Sequence, residues 1–93
     1  LKTLKKVTIT PVFVEFIPDE LEDNKIYISR KYGTSSHNCL CGCGLLTVLP
    51  FDKEHGWQLI ENGDKISLTP SIGNFQYPCK SHYVITNNVA NFD

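Results

Sequence analysis

Trp57-Gln58-Leu59-Ile60-Glu61-Asn62-Gly63-Asp64-Lys65-Ile66-Ser67-Leu68 decides the fold class. Apolar and polar residues largely alternate on either side of Asn62-Gly63, the period of a strand with one buried face. A two-residue type I′ loop needs positive φ at both central positions, which Asn-Gly tolerates. With Asn62-Gly63 at the centre, Glu61 faces Asp64, Leu59 faces Ile66 and Trp57 faces Leu68 on one side, while Gln58 faces Ser67 on the other.

Outward from this hairpin the period of two persists. Asn87-Asn88 forms a second tight turn, setting Ile85 opposite Ala90 and Tyr83 opposite Phe92. Leu45 to Leu49 reads as a strand closed by Pro50, Lys25 to Ser29 as another, and Val12 to Ile17 as a third with Val12, Val14 and Phe16 on one face. Pro18-Asp19-Glu20-Leu21 is a turn or one helical turn begun by proline, and Thr69-Pro70-Ser71-Ile72-Gly73-Asn74 has turn chemistry. No segment longer than a turn carries helical periodicity. The expected fold is a single all-β domain over residues 1–93, a small β-sandwich or open barrel of antiparallel strands with two metal-binding loops, Rieske-like or zinc-ribbon-like.

A chain of 93 residues supports one small core, so a metal or disulfide cross-link would contribute noticeably to stability. Nine Lys and Arg against ten Asp and Glu leave no positive block to track a phosphate backbone, which argues against nucleic acid. The runs Lys2, Lys5, Lys6 and Asp19, Glu20, Glu22, Asp23 read as solvated surface. No apolar stretch is long enough to span a membrane and the first residues lack the apolar region of a secretory signal, so a soluble, cytoplasmic protein is expected. The start at Leu1 rather than Met fits a removed tag, a processed leader or a longer parent chain.

Two loops concentrate the chemistry. His37-Asn38-Cys39-Leu40-Cys41-Gly42-Cys43-Gly44 places three thiols within five residues, and Pro78-Cys79-Lys80-Ser81-His82 supplies the fourth thiol and an imidazole. In such a layout each loop provides part of one coordination shell. Zinc takes four ligands in a closed structural site, and Cys39, Cys41, Cys43, Cys79 and His82 compete for them. The first quartet is Cys39, Cys41, Cys79 and His82; the rival replaces Cys39 or Cys41 with Cys43. Disulfides fit less well, because pairing Cys79 upstream strands two cysteines two or four residues apart and no secretion signal points to an oxidising compartment.

The C-x-x-H half resembles the second ligand loop of Rieske iron–sulfur domains, which are also small and built from β-strands. The first half departs, with Cys41 standing where a Rieske loop has histidine. A three-cysteine, one-histidine [2Fe-2S] site resembling that of the CDGSH iron–sulfur proteins is the other iron alternative, although there the histidine follows the last cysteine by four residues and here His82 follows Cys79 by three. Cys39-Leu40-Cys41-Gly42-Cys43-Gly44, Trp57, Pro70-Ser71-Ile72-Gly73-Asn74 and Cys79-Lys80-Ser81-His82-Tyr83 together resemble a small family of bacterial and phage domains that carry the same loops, over about Val12 to Val89. That resemblance implies metal binding. Occurrence of its members in some operons beside ubiquitin-like conjugation enzymes implies an accessory or adaptor role, with no reaction assigned.

Other residues have ordinary readings. His37 caps a strand or orients a ligand, Ser81 donates a hydrogen bond to a thiolate or to the His82 ring, and His55 is solvated. Trp57, Tyr27, Phe16 and Tyr83 are core aromatics. Asp52, Glu54, Glu61 and Asp64 lie at turns with no acid–base pairing, and the Cys79/His82 pair sits too close to three further thiols to favour a catalytic cysteine over a shared ion. The expected function is therefore a zinc-binding structural or interaction domain of a bacterial or phage protein, without catalytic residues, whose partner is another protein. An iron–sulfur electron-transfer domain is one alternative and a metal-dependent enzyme, ranked last, is another.

Overall fold

A computed structural model describes residues 5–52, 54, 56–74 and 79–92 of the chain. Nine strands run in order: β1 (Lys6–Thr8), β2 (Thr10–Phe13), β3 (Lys25–Ser29), β4 (Thr34–Asn38), β5 (Leu46–Pro50), β6 (Gln58–Asn62), β7 (Lys65–Asn74), β8 (Ser81–Thr86) and β9 (Val89–Phe92). Among the described residues there is no helix. One sheet has the order β1-β9-β8-β7-β6 and is antiparallel throughout; the other has the order β2-β3-β4-β5. The fold is thus all-β, with two sheets, and departs from a purely antiparallel arrangement at one place. Strands β2 and β3 are parallel, because the chain crosses over between Phe13 and Lys25 instead of turning back in a hairpin.

A shared apolar core joins the sheets. Ile26, Ile28 and Leu49 come from the mixed sheet, and Ile66, Leu68, Ile72, Tyr83, Ile85 and Ala90 from the antiparallel one, all essentially buried. Burial of each large apolar side chain contributes roughly 1.5–3 kcal/mol. Strand β8 shows the alternation clearly, with Ser81, Tyr83 and Ile85 buried and His82 and Val84 half-buried on the opposite face. The outer face of β3 is also covered, because the crossover packs over it: the Tyr27 hydroxyl accepts from the Glu22 amide at 3.2 Å and Ser29 Oγ donates to the Glu15 carbonyl at 2.7 Å.

Strand β3 has the limits expected for it, and the Asn87-Asn88 hairpin has the expected register, Ile85↔Ala90 and Tyr83↔Phe92. Both asparagines have positive φ, 47° and 67°, as a type I′ turn requires. The first hairpin differs. Its partners are Asn62↔Lys65, Glu61↔Ile66 and Leu59↔Leu68, so the turn is centred on Gly63-Asp64. Only Gly63 of these has positive φ (65°), which matches a type II′ turn with glycine first. The register moves by two residues and every side chain keeps its face.

Two further expectations change. Strand β2 ends at Phe13, and bends at Glu15 and Phe16 turn Phe16 outward to 64% exposure, where it stands 5.5 Å from the Tyr32 ring and outside the core. Residues Thr69 to Asn74 do not form a turn but extend β7 to ten residues. A register shift between Leu68 and Ile72 accommodates Pro70, which has no N–H to give to a ladder.

Candidate functional site

The segment after β4 reverses tightly to bring its thiols together. The Cys39 amide donates to the Leu45 carbonyl at 2.7 Å and the Gly42 amide to the Cys39 carbonyl at 3.1 Å. Gly42 and Gly44 have φ of 94° and 80°, a left-handed backbone that glycine adopts without steric cost. Cys79, two residues before the start of β8, completes the group. The sulfur atoms of Cys39, Cys41, Cys43 and Cys79 all lie within 4.8 Å of one another.

The separations are informative. Cys39 Sγ is 3.4 Å from Cys41 Sγ and 3.7 Å from Cys79 Sγ, and Cys43 Sγ is 3.7 Å from Cys79 Sγ. All four cysteines are free thiols, far from the ~2.0 Å of a disulfide. A tetrahedron with metal–sulfur bonds of about 2.3 Å has edges of about 3.8 Å, so the cluster has the size of a four-thiolate zinc shell. Hydrogen bonds support the charge such a shell would carry. The Cys43 amide donates to Cys41 Sγ at 3.3 Å and Ser81 Oγ donates to Cys79 Sγ at 3.2 Å, the donor role expected of Ser81.

The thiols differ in acidity. For Cys41, partial desolvation opposes ionisation, but hydrogen bonds from Ser81, the neighbouring thiols and the Cys43 amide outweigh it and bring the pKa down to about 6. Bonding to Ser81 likewise lowers that of Cys79. For Cys43, a bond to the Leu45 backbone favours the thiolate, but desolvation and the three neighbouring thiols push it up to about 12. The most exposed thiol, Cys43, is thus the one least ready to ionise, and a bound cation would favour its thiolate form.

His82 stands apart from this group. Of the five ligand candidates, the structure brings the four thiols together, while Nε2 of His82 lies 2.8 Å from Ser71 Oγ. The reason is strand alternation: Ser81 is buried toward Cys79, so His82, the next residue of β8, points to the other face. His82 pairs with Gly73 across the ladder, and Ser71, two residues before Gly73, shares its face as a diagonal neighbour. Both side chains are half-buried. The sequence conceals Ser71, because its segment has the composition of a turn. The available signal was that Ser71 and His82 occupy two of the four quoted motifs.

His37, on β4, is fully buried, and its Nε2 meets the Tyr83 hydroxyl at 2.7 Å, so it belongs to the interface between the sheets. Burial pushes its pKa down to about 4, which keeps the ring neutral. Asp52 Oδ1 accepts from the Glu54 amide at 2.9 Å and Glu61 pairs with Arg30. His55 lies outside the described residues.

A sequence-family model described as "Bacterial ubiquitination-like system serine protease (BubE)" matches residues 13–92, and the chain belongs to this family. No curated protein and no solved structure matches it. The family overturns the expectation of a non-catalytic chain, since it is named for a serine protease of a bacterial ubiquitination-like system. The sequence pairs none of its carboxylates or cysteines for catalysis, and a serine in a segment with the composition of a turn carries no catalytic signal of its own.

Proposed function

We propose that this chain carries a serine peptidase site in which Ser71 is the nucleophile and His82 the general base, stapled by a structural zinc ion on Cys39, Cys41, Cys43 and Cys79. The observation that carries the reading is the 2.8 Å approach of Ser71 Oγ to His82 Nε2, the geometry of an activated hydroxyl. With its proton on Nδ1, the neutral imidazole accepts the Oγ proton as Oγ attacks a peptide carbonyl carbon. The tetrahedral adduct collapses when His82 returns that proton to the leaving amine, and an ester on Ser71 remains. Water, deprotonated by the same nitrogen, hydrolyses the ester and restores the hydroxyl.

Zinc supplies rigidity in this scheme. Cys39, Cys41, Cys43 and Cys79 would together fill its shell and leave no position for a reactive water. All four sulfurs within 4.8 Å favour one shared ion over a two-iron cluster, which distributes its thiolates between two metal atoms. The family description supports a protein substrate from a ubiquitination-like system.

A fluorophosphonate probe tests the assignment, because serine attack on phosphorus forms an O–P bond and expels fluoride. Intact-mass and peptide analysis should place one adduct on Ser71 of the zinc-loaded chain, absent in Ser71→Ala and reduced at least about 100-fold in rate in His82→Ala. Labelling elsewhere, or equal labelling of Ser71→Ala, would refute it.

A further inference from the structure

Strand β7 outruns its neighbour on one side. Strand β6 pairs with it from Asn62↔Lys65 to Gln58↔Thr69, while β8 follows it as far as Asn74↔Ser81. Residues 70–74 therefore have β8 on one edge and, among the described residues, no strand on the other. Ser71 lies on this stretch.

The chain preceding β6 veers away at this point. Trp57 donates its amide to the Pro50 carbonyl at 2.9 Å and bridges in parallel with Phe51, so it docks on the end of β5 instead of continuing along β7. Its departure leaves a cavity of about 410 Å³ lined by Phe51, Asp52, Trp57, Gln58 and Leu59. Gln58 faces Thr69, so this apolar-walled cavity opens about two residues along the ladder from Ser71.

We infer that the edge of β7 at residues 70–74 binds the substrate as an added strand, in line with β6, and that the Phe51–Trp57–Leu59 cavity receives an apolar side chain beside the scissile bond. The inference rests on the peptidase reading above and adds the substrate's conformation and side-chain preference. Five strand residues span about 17 Å, room for four or five residues of an extended chain. Backbone hydrogen bonds along the edge supply affinity, and the cavity supplies selection. An extended protein tail fits this edge; a folded surface loop does not.

Acetyl-tripeptidyl diphenyl phosphonates test the geometry. Ser71 Oγ attacks their phosphorus, an O–P bond forms, and phenol leaves with the proton relayed by His82. On the zinc-loaded wild type, probes with leucine or phenylalanine next to phosphorus should label Ser71 at least about 10-fold faster than probes with aspartate or lysine, the selectivity one filled apolar pocket gives. N-methylation of at least one backbone amide of the faster probe should slow it about 10-fold. In Trp57→Ser the ratio between leucine and aspartate probes should fall below about 3-fold. Equal rates for all side chains and N-methylated forms, with Ser71 still labelled by the fluorophosphonate, would overturn the added strand and leave the peptidase reading standing. Absence of fluorophosphonate labelling at Ser71 would remove the peptidase reading itself.

Discussion

Nε2 of His37 and the hydroxyl of Tyr83 lie 2.7 Å apart and join β4 of the mixed sheet to β8 of the antiparallel sheet through the core. Both residues are fully buried, and among the described residues His37 Nδ1 has no hydrogen-bond partner, so the Tyr83 bond satisfies the one nitrogen of the ring that is paired. Tyr83→Phe keeps the packing against Phe92, 4.8 Å away between ring centroids, and strands the imidazole. The expected loss is about 1–3 kcal/mol, a fall in Tm of about 4 °C or more. The double variant His37→Leu/Tyr83→Phe, with both polar partners removed, should recover part of it in thermal melting. A double variant less stable than Tyr83→Phe would show that the pair is not the source.

His82 separates two accounts of the site. If it completed a metal shell, His82→Ala would lose the ion. With the imidazole directed at Ser71 and four thiols within 4.8 Å, His82→Ala should retain one equivalent of zinc and melt within about 3 °C of wild type while losing serine reactivity. Metal analysis and melting on the same preparation decide this; loss of zinc in His82→Ala would restore the mixed cysteine–histidine quartet.

On the zinc reading proposed above, removal of the ion should unfold the domain. Structural zinc in small domains contributes an apparent ~10–16 kcal/mol, comparable with or above the 5–15 kcal/mol total stability of ordinary domains. Cys79 lies three residues before His82, so loss of the ion also frees the start of β8 that sets the Ser71–His82 approach. Chelation, or Cys79→Ser, should abolish the cooperative melt and the Ser71 labelling together. Unchanged circular dichroism and melting after complete metal removal would exclude a structural role for the ion.

How far the sequence disclosed this arrangement depends on whether each feature is local. Lys25–Ser29 and the Asn87-Asn88 hairpin were legible because period-two burial and positive φ at asparagine are properties of neighbouring residues. Cys39, Cys41 and Cys43 were legible as a local cluster, whereas the convergence of Cys79 on them is long-range and the expected first quartet had His82 in the place of Cys43. The Ser71–His82 contact was not, because it depends on a register shift between Leu68 and Ile72 that places two strands' side chains diagonally, while Pro70, Ser71 and Gly73 have the composition of a turn. The C-x-x-H spacing pointed to His82 as a ligand. Alternation along β8, with Ser81 turned toward Cys79, assigns it to the opposite face.

Gly56 offers a test of how the cavity beside β7 is built. A Cβ there would stand 2.3 Å from the Pro50 carbonyl oxygen and 2.8 Å from the Asp52 amide nitrogen, both backbone atoms that cannot swing aside. Its own amide donates to the Asp52 carbonyl at 3.0 Å, and the backbone of the next residue, Trp57, bonds Pro50, so displacement of Gly56 pulls Trp57 off the end of β5. Gly56→Ala should therefore cost about 1–3 kcal/mol through overpacking and change the Trp57 fluorescence of the folded state. Gly63→Ala is the control. It meets nothing within 4 Å but requires positive φ, so it should cost only about 1–2 kcal/mol and leave the emission unchanged. An emission change in Gly63→Ala equal to that in Gly56→Ala would point to general loosening of the sheet. Unaltered emission and melting in Gly56→Ala would mean that the β5 end and Trp57 can separate freely, and the selectivity inferred for the cavity would lose the wall it requires.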